Sequence, residues 1–479
     1  MKSTVTSDSS RRGGFKEMLL YMVVGIVLVL LILSMSLLVV VGAAAAMTVV
    51  ILVLKRVEYG LYLASATIPL GVLGPVDAFH GTLTVTRILF LLTAVSLLLR
   101  YFLGRESRRV EKTAKNQALL ILTLVVLISA AVGINFSESG TGLFYYYVSI
   151  IVYLVTSFAV RDETTYRKTV LAILLPLSLS LLLGIMSYHF NLDFAARFSV
   201  SDTRRMTSSS FLGPNSYALM LVTIFPFAVN FYLHETERAR KALYLLWVGL
   251  LIYGTLLTYS RASAVTLLLV TLYTLIRSSD RLSRKEVGGL ALAGVLILLL
   301  LPGLVFQRVE SLSRGGEDPS LKARWSYVMV GYEVFKDHPL FGVGPNNYKV
   351  AYASPEYRSA GYQSKSNVEI GKQRGRVGRA AHNMYLEAIS EIGLVGIALL
   401  IYVFLLTWKE FRDAQQQFKR TGREKMWLLT NSLELGFLAF LLNSFFLSSG
   451  FFPLLWIFVG LATASVVIAR NDLETEENR

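Results

Sequence analysis

The chain has 479 residues, 54% of them hydrophobic and only 16% charged, and it carries a formal net charge of +15. That balance excludes an ordinary soluble multidomain protein and points to a membrane protein. It contains no cysteine, which excludes a disulfide framework and any thiolate metal site.

Apolar runs of the length needed to cross a bilayer of about 30 Å follow one another along the chain, and each must be helical because lipid offers backbone amides no partner. Spans are expected near 17–34, 36–54, 57–75, 84–103, 116–134, 142–160, 168–189, 211–232, 242–259, 261–276, 287–306, 384–408, 427–447 and 450–469. The fold class is therefore all-α, a polytopic membrane bundle of about 14 (12–14) helices. The run from Met18 to Leu54 is too long for a cleaved secretory segment and reads as two spans with a turn near Ser34 and Ser36.

Charge placement sets the expected orientation. With the first 16 residues as a cytoplasmic tail, the inner segments hold 30 of the 47 Lys and Arg, which agrees with retention of cationic loops inside. This distribution also argues against nucleic acid as the reason for the net charge. The bundle would then comprise 17–306, a long extracytoplasmic loop at 307–383, three further spans over 384–469 and a cytoplasmic tail at 470–479. The loop has 12 Lys plus Arg against 7 Asp plus Glu. Exceptions to the charge rule outside it are Arg197, Arg204, Arg205 and Arg261.

Within the loop, Asp318-Pro319-Ser320 signals a helix start. Leu321, Trp325, Val328, Met329, Tyr332 and Phe335 then recur at helical spacing, predicting an amphipathic helix against the membrane surface or the bundle that stops at Pro339. Phe341-Gly342-Val343-Gly344-Pro345-Asn346-Asn347 reads as tight turns.

Several clusters could carry chemistry. His382 and Asn383 stand where the loop re-enters the membrane, and a neutral imidazole there could accept a hydroxyl proton, although the pair could equally cap a helix. Arg261, in Thr258-Tyr259-Ser260-Arg261-Ala262-Ser263, interrupts an apolar stretch and needs an outer turn or an anionic partner. The segment from Arg204 to Asn215 joins guanidinium groups, hydroxyls and a helix start, a combination suited to phosphate oxygens or to lipid headgroups. Arg87 and Glu434 are ionisable residues inside expected spans, and Glu434 could also be a carboxyl bonded to a neighbouring helix. No nucleotide-binding loop, Asp-x-Asp pair or metal-ligand spacing occurs, so neither cofactor nor metal is expected.

Four stretches, RRMTSSSFLGPNSYA, TYSRAS, RWSYVMVGYEVFKDHPLFGVGPNNY and AAHNMYLEAISEIGLVG, resemble the O-antigen ligase and polymerase superfamily of bacterial envelope glycosyltransferases. The resemblance implies transfer of a glycan from undecaprenyl diphosphate to an acceptor hydroxyl, such as lipid A core, on the extracytoplasmic face of the inner membrane. It implies diphosphate binding by Arg261 and Arg205, with Arg204 and Arg197 as alternatives, and His382 as the base, with Glu434 a supporting acid. Asn383, Asn215 and Ser260 would support the site. The implied partners are the lipid-linked donor, a glycan or lipid A core acceptor, and membrane lipids. Ligase-type transfer is the first reading. A polymerase or a protein O-oligosaccharyltransferase of the same superfamily stands beside it, and a transporter is the rival from another class.

Overall fold

A computed structural model describes residues 37–70, 84–104, 113–190, 205–207, 213–277, 319–357 and 379–477. Among these residues are fourteen α-helices and no strand. They are α1 (Leu37–Lys55), α2 (Val57–Leu70), α3 (Val85–Phe102), α4 (Ala114–Ala131), α5 (Phe136–Ala159), α6 (Glu163–Phe190) and α7 (Pro214–His234). After them come α8 (Arg238–Leu257), α9 (Arg261–Arg277), α10 (Pro319–Asp337), α11 (Tyr348–Ala353), α12 (Met384–Arg420), α13 (Glu424–Asn443) and α14 (Pro453–Glu477).

Nine of the described helices, α3 to α8 and α12 to α14, are long and apolar enough to cross a membrane. The chain is a multi-pass membrane protein. The apolar stretch of α1 (Val41–Lys55) and α9 are shorter, and α2 has 14 residues. The spans expected at 17–34 and 287–306 lie outside the described residues. The chain divides into two compact units, Met1–Val57 and Glu58–Arg479. Helix α1 belongs to the first, and the second carries the bundle and everything below.

Local sequence explains where the helices begin. Side chains of Thr84, Thr113 and Asn135 accept hydrogen bonds from the third backbone N–H beyond them, at 3.4, 3.2 and 3.1 Å. Helix α7 starts with Pro214 directly after Gly213, where the missing N–H costs nothing. Pro176 and Pro226 sit inside α6 and α7, a placement tolerated where neighbouring helices re-satisfy the freed backbone.

Burial ranks the helices by depth. Helix α7 is hidden over nearly its whole length and packs against α8, α9 and α13. Helix α12 packs against α4, α13 and α14, while α14 also meets α5 and α6. Helix α3 keeps a broad apolar face outward, including Ile88, Val95 and Leu98, as a lipid-facing helix should. Lipid gives helices no hydrophobic reason to associate, so close packing carries the association. A Cβ on Gly436 would stand 2.6 Å from Thr223 O, and one on Gly460 2.6 Å from Thr156 Cβ, so glycine sets both approaches.

The loop segment folds as a cap on one end of this bundle. Tyr327, Val330, Val334, Val343, Tyr348 and Ala351 form a small core of their own with Leu386 packed beside it. Helix α10 forms where the sequence indicates, and the expected stripe is not the face it packs on the bundle. Ser326, Tyr327, Val330 and Val334 are buried, whereas Trp325, Val328 and Tyr332 of the expected stripe are exposed. Packing on α11 and α12 chose the face whose tyrosines could bond inward. Tyr348 donates to Tyr327 O at 2.7 Å, and the Tyr352 and Ser326 hydroxyls meet at 2.9 Å.

One span also differs from expectation. Helix α12 runs far beyond 408, to Arg420, and breaks at Gly393, whose φ is 67°. The break exposes backbone groups, and the loop supplies partners for four of them. Val343 and Gly344 donate to Ser390 O and Glu391 O at 2.9 and 3.0 Å, while Leu394 and Val395 donate to Pro339 O and Leu340 O at 2.8 and 3.4 Å. A Cβ at Gly393 would fall 2.2 Å from Leu340 O. The expected turns at 341–347 are present, with positive φ at Gly342, Gly344 and Asn346.

Candidate functional site

Three segments meet at the end of the bundle that bears the cap. The first is the stretch 205–207, of which Met206 donates to Leu257 O at 2.9 Å and is buried. Anchored in this way, Arg205 donates from Nε to Thr258 O and from Nη2 to Asn215 Oδ1, both at 2.8 Å. Two fixed bonds leave a planar guanidinium with a defined direction, which a lysine could not reproduce.

The second segment is the turn between α8 and α9. Tyr259 takes a left-handed backbone, φ 52°, a conformation that costs a non-glycine residue and collects at functional sites. Ser260 is buried, and its hydroxyl meets that of Ser263 at 3.0 Å. Arg261 opens α9 three residues beyond the carbonyl that holds Arg205. The structure therefore brings these two arginines to one turn.

The third segment is the start of α12. Asn383 is its cap, accepting from Tyr385 N at 2.9 Å and Leu386 N at 3.0 Å. His382 immediately before it is the other non-glycine residue of the site held at positive φ, 50°. Its ring tilts against Tyr327 at 5.7 Å. Enclosure by the cap lowers its pKa below the usual imidazole value, and Arg324 and Arg379 lower it further. Part of the residue remains exposed, so the neutral ring can meet a partner from outside. Arg379 also donates to Tyr327 OH at 3.4 Å.

A belt of small polar side chains joins the second and third segments. Asn443, at the end of α13, donates to Ser263 Oγ at 2.9 Å, and the adjoining Ser444 accepts from Ser449 at 2.7 Å. Ser449 points on to Met384 Sδ at 3.9 Å, while Tyr385 donates to Leu441 O at 2.9 Å. The residues Arg205, Asn215, Ser260, Arg261, His382 and Asn383 thus occupy one end of the bundle.

Glu434 is not among them. It is fully buried in α13, where Oε1 accepts from Trp408 Nε1 at 2.8 Å and Oε2 from Gln415 Nε2 at 2.6 Å. Arg412 lies 3.7 Å away. These partners sit in the far half of α12, 26 to 33 residues beyond His382, or about 39–50 Å along a helix at 1.5 Å per residue. The geometry there gives Glu434 the part of a tie between α13 and α12 and does not bring the expected supporting acid to the other site residues. Arg197 and Arg204 lie outside the described residues.

Sequence reasoning missed Tyr327, Arg324 and Arg379, which surround His382 only because the cap folds back. It also assigned nothing to Glu387 and Glu391, although two carboxylates four residues apart in an apolar helix start share one face. Glu391 is buried, and its Oε1 accepts from Tyr348 N at 3.1 Å, holding α11 to α12.

Residues 246–401 match the family model described as O-antigen ligase, which is less than half of the chain. The matched stretch contains Arg261, the cap, His382 and Asn383 and excludes Arg205 and Glu434. No curated protein matches the chain.

Proposed function

On the support of the match of residues 246–401 to the O-antigen ligase family, we propose that the chain transfers a glycan from undecaprenyl diphosphate to an acceptor hydroxyl. Transfer takes place on the extracytoplasmic face of the inner membrane. The observation that carries this reading is the gathering of Arg205, Arg261 and His382 at one end of the bundle, with two of the three segments that hold them set by left-handed, non-glycine backbone.

In the proposed step the acceptor oxygen attacks the anomeric carbon. The bond from that carbon to the diphosphate oxygen breaks in the same displacement, with inversion, and the hydroxyl proton passes to His382. Arg205 and Arg261 stabilise the charge that collects on the departing diphosphate. His382 suits the base role because its surroundings favour the neutral ring. Glu434 takes no part in the step. Lipid A core or a related glycan is the acceptor in the first form of the proposal, and repeat-unit polymerisation is the second form.

The test is reconstitution with an undecaprenyl diphosphate-linked glycan and a lipid A core acceptor. Wild type is expected to make a new glycosidic bond and release undecaprenyl diphosphate, and His382→Ala and Arg261→Ala to lose most of that activity. Equal rates in all three proteins would overturn the site. Movement of glycan across the bilayer without a new bond would replace transfer by transport.

A further inference from the structure

A cavity of about 330 Å³ lies beside this site, on the α4 and α5 side of α12. Its volume falls in the about 300–1,000 Å³ range of small-molecule pockets. The cavity has two chemically different ends. Leu122, Val126 and Leu400 line its apolar depth. Glu387, Asn346 and Ser448 line the end nearest the cap.

That polar end is built rather than incidental. Asn346, at φ 63°, is fixed by a 2.8 Å bond from Nδ2 to Glu138 Oε2, and Glu138 also pairs with Lys349 at 2.8 Å. Glu391 and Glu387, one turn earlier, both line the cavity, and Glu391 also holds the cap through Tyr348 N. The Ser448 hydroxyl lies beside the Glu387 carboxyl and is closed to solvent. Across the cavity, Tyr145 and Phe451 stand 5.9 Å apart, and the Arg87 guanidinium sits 4.5 Å over the Tyr145 ring.

A carboxyl, an amide and a hydroxyl beside aromatic faces is the donor and acceptor set that a sugar ring satisfies. Its hydroxyls bond to the polar groups and its C–H face packs on the rings. The apolar depth has no use for a free sugar but suits the hydrocarbon of an amphiphile. We propose that this cavity is the acceptor subsite and takes a sugar on an apolar anchor, with Glu387 accepting a hydrogen bond from a ring hydroxyl. Met384, two residues after His382, forms part of the wall, so the cavity borders the segment that carries the proposed base. The inference rests on the transfer reading for its role as acceptor subsite, and on the cavity alone for its ligand.

The probe is octyl β-D-glucoside bearing a diazirine, photolysed on the full-length protein in nanodiscs without donor. Labelling is expected on peptides containing Met384 and Phe451. Unlabelled octyl glucoside should compete and octyl sulfobetaine should not. Glu387→Leu should cut the labelling about tenfold, the loss of one hydrogen bond. Glu387→Gln, with its thermal midpoint measured alongside, separates ligand loss from misfolding, and should raise the acceptor KM in the transfer assay while leaving the donor KM unchanged. Labelling spread over outward residues such as Leu175 and Leu246, and insensitive to either substitution, would overturn the proposal. So would an unchanged acceptor KM in an active Glu387→Gln enzyme, an outcome that leaves the transfer reading intact. Competed labelling in a protein that transfers nothing would instead uphold the sugar site and refute the transfer reading.

Discussion

Two groups of ionisable side chains interrupt the apolar helices, and they are used in opposite ways. Around Glu434 every polar partner points inward: Trp408 and Gln415 saturate the carboxylate and the residue has no exposure. Around the other group, Arg205 donates to a backbone and an amide carbonyl, and Arg205, Arg261 and His382 each keep part of their surface accessible. A buried carboxyl whose partners close on it is a tie between helices, whereas partly exposed side chains on or near strained turns at a bundle end lie where a ligand can reach them. An ionisable residue inside a span is a functional candidate by default, and partner geometry decides between the two outcomes.

The contrast can be broken from either side. Arg261→Ala should have the largest effect on transfer, a fall of about 10²–10³-fold, the scale of removing one electrostatic donor from a developing charge. His382→Ala should follow at about 10²-fold or more, the lower end of general-base catalysis. Both are measured as glycosidic bonds formed per minute in proteins with unchanged melting temperature.

Glu434→Ala should act on stability instead. Stranding the Trp408 and Gln415 donors should cost about 1–3 kcal/mol each. Arg412 adds little, being 45% exposed. Thermal unfolding in detergent checks it, with transfer by the folded fraction expected to stay near the wild-type rate. Gly393→Ala should cost about 1–3 kcal/mol, because φ 67° is strained for alanine and its Cβ would strike Leu340 O. Limited proteolysis within 319–357 should then speed up.

The smallest effect sharpens the comparison by pH. The lowered pKa of His382 keeps the base neutral, hence active, to a lower pH than a free imidazole allows, so the acid limb of the rate profile should lie below the usual imidazole range. Replacing Arg324 or Arg379 by alanine removes a cation that disfavours the charged ring. His382 would then protonate at higher pH, and the acid limb should move up.

Much of the bundle was legible because lipid demands long apolar helices, and runs such as 116–134 and 450–469 show that demand directly. The break at Gly393 was not legible. The stretch Glu391-Ile392-Gly393-Leu394 reads as helix on its own, and only the carbonyls of Pro339 and Leu340, fifty residues earlier, make the interruption affordable. Which face α10 turns to the bundle was left open by the sequence, because Trp325 and Tyr332 have apolar bodies that suit a membrane surface as well as a core. Arg205, Arg261 and His382 stood out as charges beside apolar runs. The sealing of Glu434 depends on Trp408 and Gln415 of a neighbouring helix, which no local pattern announces.

Binding of undecaprenyl diphosphate to the protein in nanodiscs tests the central distinction most directly. Wild type and Glu434→Gln, with matched melting temperatures, should bind it equally, and Arg261→Ala should weaken binding about tenfold or more, as loss of a charge-assisted contact requires. Equal affinity in Arg261→Ala, or a loss confined to Glu434→Gln, would contradict the account.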